Sequence, residues 1–76
     1  MNTVIDGFKV EVVYAKHLGR TNCFIQHGTH SSSLGILEHY GYIQSVNEDV
    51  LKVDQKTIDK IYKFACSNGY QSLSKS

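Results

Sequence analysis

The segment Asp54–Tyr70, DQKTIDKIYKFACSNGY, decides how the rest of this chain is read. On a 3.6-residue helix, Ile58, Ile61, Tyr62 and Ala65 fall on one face with Phe64 and Cys66 at its margins, while Lys56, Asp59, Lys60, Lys63 and Ser67 fill the opposite arc. Such a segment is an amphipathic helix that must lie on an apolar surface. Asp54 is placed as its N-cap, where a carboxylate can accept from first-turn N–H groups and meets the positive end of the helix dipole. Gly69 suits the left-handed position that closes a helix, after which Tyr70 can fold back onto the last turn in a Schellman ending. Ala65, near the middle of the apolar arc, lets the helix backbone approach a sheet closely.

Working back toward the start, Asn47-Glu48-Asp49 forms a polar turn between Tyr42–Val46 and Val50–Val53, two short strands that read as a hairpin leading into the helix. Before them, LGILEHY (34–40) carries Leu34, Ile36, Leu37 and Tyr40 on one arc of a short second helix, which Gly41 can terminate. The polar run GTHSSS (28–33) reads as the loop that supplies its caps. In Gly7–Ala15 the residues Phe8, Val10, Val12 and Tyr14 alternate with Lys9 and Glu11, the period of a half-buried strand. After a turn at Gly19, Asn22–His27 reads as the returning strand; Cys23 and Ile25 face one way and Phe24 the other, so this strand is expected in the middle of its sheet or covered on both faces. The expected fold is α+β: an antiparallel sheet of three to four strands with two helices packed on one face, in the order β-β-α-β-β-α. One domain is expected over residues 1–70, followed by a frayed polar tail over 71–76.

Composition bounds the function classes. With 76 residues, no proline or tryptophan, 41% hydrophobic residues and a formal charge of +1, the chain is one small globular unit rather than a disordered or fibrous one. A domain of this size hides only about 60% of its unfolded surface, so a homodimer or a bound partner would be a natural source of extra stability. Neither a basic leader nor a bilayer-length apolar run occurs, which gives the expectation of a cytoplasmic protein with no membrane partner. In a reducing compartment Cys23 and Cys66 read as small core residues rather than as a disulfide.

Chemistry-bearing residues concentrate between Cys23 and Ser33. Cys23, His27, His30 and His39 are metal-ligand types, but they lack a paired CxxC and are divided between strand, loop and helix, so no metal or other cofactor is expected. A hydrolase built on His27, His30 and the serines would need an orienting carboxylate, and none occurs between Glu11 and Glu38. No catalytic residue is assigned. His30, Ser31, Ser32 and Ser33 at the start of the short helix form a candidate anion site, with helix N–H groups as donors.

Two binding readings remain. Lys56, Lys60 and Lys63, together with Lys16 and Arg20 in the first hairpin turn, could contact nucleic acid, although the near-neutral total and the absence of an RNP-like motif or GxxG loop argue against it. Five tyrosines are more than so small a core can bury, and Tyr40 and Tyr42 in particular suit a protein interface. The leading expectation is therefore a non-catalytic protein-binding regulator or inhibitor, of the kind common in phages and mobile elements. A nucleic-acid-binding module is the second reading and a small hydrolase the third.

Overall fold

The computed structural model describes residues 1–71. Its elements are β1 (Asn2–Ile5), β2 (Phe8–Ala15), β3 (Arg20–His27), β4 (His30–Ser33), α1 (Leu34–Tyr40), β5 (Tyr42–Gln44), β6 (Val50–Lys52) and α2 (Gln55–Ser67). The α+β class holds, and the expected succession is present with two further strands in it, β1 and β4. The expected tail falls almost wholly outside the described residues.

Strands β1 to β4 form one antiparallel meander in the order β1-β2-β3-β4, and β5 and β6 form a separate two-stranded ladder. The expected four-stranded sheet thus has different members: the second hairpin does not join it, and the joins to β1 and β4 come from two tight turns. Asp6 (φ 49) and Gly7 (φ 86) both adopt left-handed backbone, which is the mirror-image turn whose twist matches paired strands. Gly28 (φ 63) alone does so in the Gly28-Thr29 turn, so GTHSSS is a turn and an edge strand rather than a capping loop. A single bridge from His30 to Ser45 links β4 to the β5–β6 hairpin. Buried Ser45 also fixes that hairpin's loop: its Oγ accepts from the N–H groups of Asn47 and Asp49, both at 3.2 Å.

All of the core lies on one side of the four-stranded sheet. Phe8, Val10 and Val12 from β2 and Cys23 and Ile25 from β3 meet Leu34 and Leu37 of α1, Ile43, Val53, and Ile58, Ile61 and Ala65 of α2. The inward residues of α2 are those its period dictates, with one addition. Thr57 is buried as well, and its hydroxyl donates to Asp6 Oδ2 at 2.8 Å. Lys60 Nζ reaches the same carboxylate at 3.1 Å, so the β1–β2 turn is tied to the helix at its N-terminal half.

The C-terminus of α2 is a complete Schellman ending: Tyr70 N–H donates to Ala65 C=O at 3.0 Å and Gly69 N–H, with Gly69 at φ 96, to Cys66 C=O at 3.2 Å. The N-terminal expectation needs correction. Asp54 and Ser33 occupy the N-cap positions of α2 and α1, but neither side chain makes a capping bond.

Candidate functional site

Strand register sorts the residues of the meander into two faces. Residues directly opposite one another share a face, so Thr3–Val10–Ile25–Ser32 forms a row against the helices; the pairs Ile5–Phe8 and His27–His30 lie on the same side, with the Phe8 and His27 rings 4.8 Å apart. The alternate rows, Asn2–Glu11–Phe24–Ser33 and Val4–Lys9–Gln26–Ser31, with Val13–Asn22 beyond them, point the other way. No element among the described residues covers that second face. It holds an open depression of about 700 Å³ lined by residues of all four strands.

Phe24 sits in this outer face and keeps 47% of its surface exposed, and Val4 keeps 64%. Around them the side chains are small, polar or of mixed sign. Lys9 and Glu11 are two residues apart on one strand, so the face has no dominant charge. A large apolar ring gains from being covered, while the polar groups around it lose their water on contact and need hydrogen-bond partners on the covering surface.

The residues singled out by sequence reasoning are distributed elsewhere. Lys16 and Arg20 are exposed at the β2–β3 turn, at the far end of the long strands from His27 and His30. Lys56, Lys60 and Lys63 are exposed on α2, but Lys60 is engaged with Asp6, and Asp59 accepts from Gln55 Nε2 at 2.9 Å. Tyr40 and Tyr42 meet at the α1–β5 corner with ring centroids 5.6 Å apart, and His39 packs edge-on against Tyr40 at 4.6 Å. His30, Ser31, Ser32 and Ser33 do not converge: they are the four residues of β4, paired with β3, so Ser31 and Ser33 face the open side while His30 and Ser32 face the helices. His30 Nε2 is buried without a hydrogen-bond partner among the described residues.

The titratable groups near the core are perturbed for structural reasons. Burial pushes the Cys23 thiol up to about 11, with the charges of Glu38 and Cys66 adding to it. Burial also pushes the Tyr70 hydroxyl up to about 12, aided by Glu38. The Thr57 hydroxyl and then Lys60 hold Asp6 below its ordinary value. Both cysteines are free, Cys23 in the core and Cys66 on the surface. Among the described residues no three His, Cys, Asp or Glu side chains gather closely enough to hold a metal ion, and no helix is long and apolar enough to cross a membrane.

What sequence reasoning missed is the outer face itself. Its signal was present in Phe24, which breaks the alternation of its strand, but a residue out of phase marks an uncovered face only once both helices are known to lie on the opposite side. Comparison of the chain with protein-family models, with curated proteins and with solved structures yields no match.

Proposed function

We propose that this chain is a protein-binding domain without catalytic machinery, which acts as a regulator or inhibitor by covering a surface of its partner with the open face of the β1–β4 sheet. The observation that carries this reading is the uncovered face centred on Phe24, 47% exposed in a depression of about 700 Å³. An aromatic side chain presented on a rigid four-stranded platform supplies contact area at low entropic cost. The near balance of Lys9 and Glu11 favours a protein surface over a phosphate backbone, which would call for a track of cations.

The test is affinity capture from the source cell, comparing wild type with Phe24→Lys and with the double variant Lys56→Ala/Lys63→Ala, at low and high salt and with nuclease. A protein retained at both salts, insensitive to nuclease, kept by the lysine variant and lost with Phe24→Lys supports the reading. Since Phe24 is outside the core, Phe24→Lys should melt within a few degrees of wild type. Retention that survives Phe24→Lys, or that nuclease removes, defeats it; the second result makes nucleic acid the partner.

A further inference from the structure

The sheet has two edges, and they are finished differently. Strand β4 is followed by the bridge from His30 to Ser45, which starts a second hairpin along it. Beyond β1 no strand pairs among the described residues. Natural edge strands are guarded by short length, lysine, proline, a bulge or an inward charge; β1, with the sequence Asn2-Thr3-Val4-Ile5, is short at four residues but has none of the others.

The ladder pattern says which groups are open. Met1 and Val12 exchange both backbone bonds, at 2.8 and 2.7 Å, and antiparallel pairs alternate between bonded and unbonded, so Thr3 and Ile5 spend their groups on β2. Asn2 and Val4 therefore turn their N–H and C=O groups outward. Two donors and two acceptors placed symmetrically about Thr3 form a self-complementary edge.

We propose that β1 pairs antiparallel with β1 of a second copy of this chain, about a two-fold axis at Thr3, to join two four-stranded sheets into one of eight strands. In this register Asn2 lies opposite Val4 of the second copy, and each such pair exchanges two backbone bonds, four in all. Ile5 lies opposite Met1 of the second copy, which covers a methionine that is 71% exposed with a half-buried isoleucine. On the outer face each joined row carries Lys9 of one copy and Glu11 of the other, separated by Val4 and Asn2, so unlike charges face each other across the seam. The seam is short, and the dimer belongs with weak, concentration-dependent contacts.

The inference is independent of the proposed function, because it uses the sheet edge and not Phe24. Its test uses the full chain, unmodified, with Val4→Pro, and with a methyl group on the Val4 amide nitrogen introduced by chemical synthesis. Both changes remove the outward donor while leaving every bond from β1 to β2 in place, and proline is tolerated on edge strands. Sedimentation equilibrium up to about 1 mM should show the wild-type mass rising from 8.6 kDa toward twice that value, with both altered chains remaining monomeric. Amide exchange supplies a second reading: the Asn2 and Val4 amides should slow as concentration rises, while Thr3 is slow throughout. Phe24→Lys should dimerise like wild type. A wild-type chain that stays monomeric over the whole range overturns the inference, and so does a dimer that survives methylation of the Val4 amide.

Discussion

Gly7→Ala and Gly35→Ala are the same substitution with the same room around it, yet their effects on stability should have opposite signs. A Cβ built at Gly7 would lie 3.8 Å from the His27 ring, and one built at Gly35 would lie 3.8 Å from the Tyr70 hydroxyl, so neither meets a clash. What differs is the backbone. Gly7 has φ 86, and an L-residue held in left-handed backbone costs about 1–2 kcal/mol. Gly35 is the second residue of α1, where its freedom in the unfolded chain is a cost that alanine removes, worth roughly 0.5–1 kcal/mol. For a domain of this size 1 kcal/mol moves the melting temperature by about 4–8 °C. Gly7→Ala should accordingly melt roughly 5–15 °C below wild type and Gly35→Ala above it, on the order of 2–8 °C. Thermal and urea denaturation followed by circular dichroism would measure both. Gly7→Ala as stable as wild type would mean that the chain does not turn through two left-handed residues at 6–7, and β1 would lose its basis. Gly35→Ala less stable than wild type would mean that Tyr70 leaves no room beside α1 for the added methyl group.

The tie between the first turn and α2 can be tested by titration. Asp6 is held below its ordinary value of 3.8 by the Thr57 hydroxyl first and Lys60 second, so its contribution is present above about pH 4 and lost as pH falls through the lowered value. Thr57→Val, which keeps the shape and removes the donor, should raise the Asp6 carboxyl midpoint seen by NMR; an unmoved midpoint would show that the hydroxyl does not hold it. At the alkaline end Cys23 works in the opposite sense. Its thiol ionises near 9 when unfolded and at about 11 in the fold, so its contribution is full below pH 9 and lost as pH rises through about 11. Each pH unit between those two midpoints is worth about 1.4 kcal/mol, which makes the loss on the order of 3 kcal/mol. Cys23→Ala should lower stability at neutral pH but flatten its decline between pH 9 and 11 in urea titrations; an unchanged slope would refute the assignment.

Most of the inner layer was legible in the sequence, because it is built from residues whose period reports their environment. The face of α2 and its Gly69 ending could be read directly, as could Phe8, Val10 and Val12. Thr57 could not, since its burial depends on Asp6, 51 positions away along the chain. The two extra strands escaped for a different reason. β1 is short and half polar, and its one strong signal was the Asp6-Gly7 pair between apolar residues, the commonest composition for a two-residue hairpin turn. β4 is three serines and a histidine, with no apolar alternation to detect. Its strand state comes from pairing with β3 beyond Gly28, and pairing leaves no trace in hydropathy. The serines thus resembled caps, and the candidate anion site drawn from them divides between two faces once β4 is extended.

The separation of the two faces has a consequence for how this chain can change. Twelve buried apolar residues lie in the one layer between sheet and helices, and Phe24 contributes to none of it. Its side chain stands on the same strand as Cys23 and Ile25 but on the opposite side, so it can be exchanged without opening a cavity. The proposed binding through the outer face would therefore be independent, to a first approximation, of folding through the inner one, in contrast to a site built on core residues. Val4 is where the two proposed surfaces meet, because it belongs to the outer face by its side chain and to the open edge by its backbone. Pairing of two β1 strands would set Val4 of each copy beside Asn2 of the other and carry the outer face across the seam. The two Phe24 rings would then lie on one continuous platform, related by the two-fold axis. A partner with its own two-fold symmetry would gain from that platform without any new contact per copy, because the second Phe24 would engage at high effective concentration.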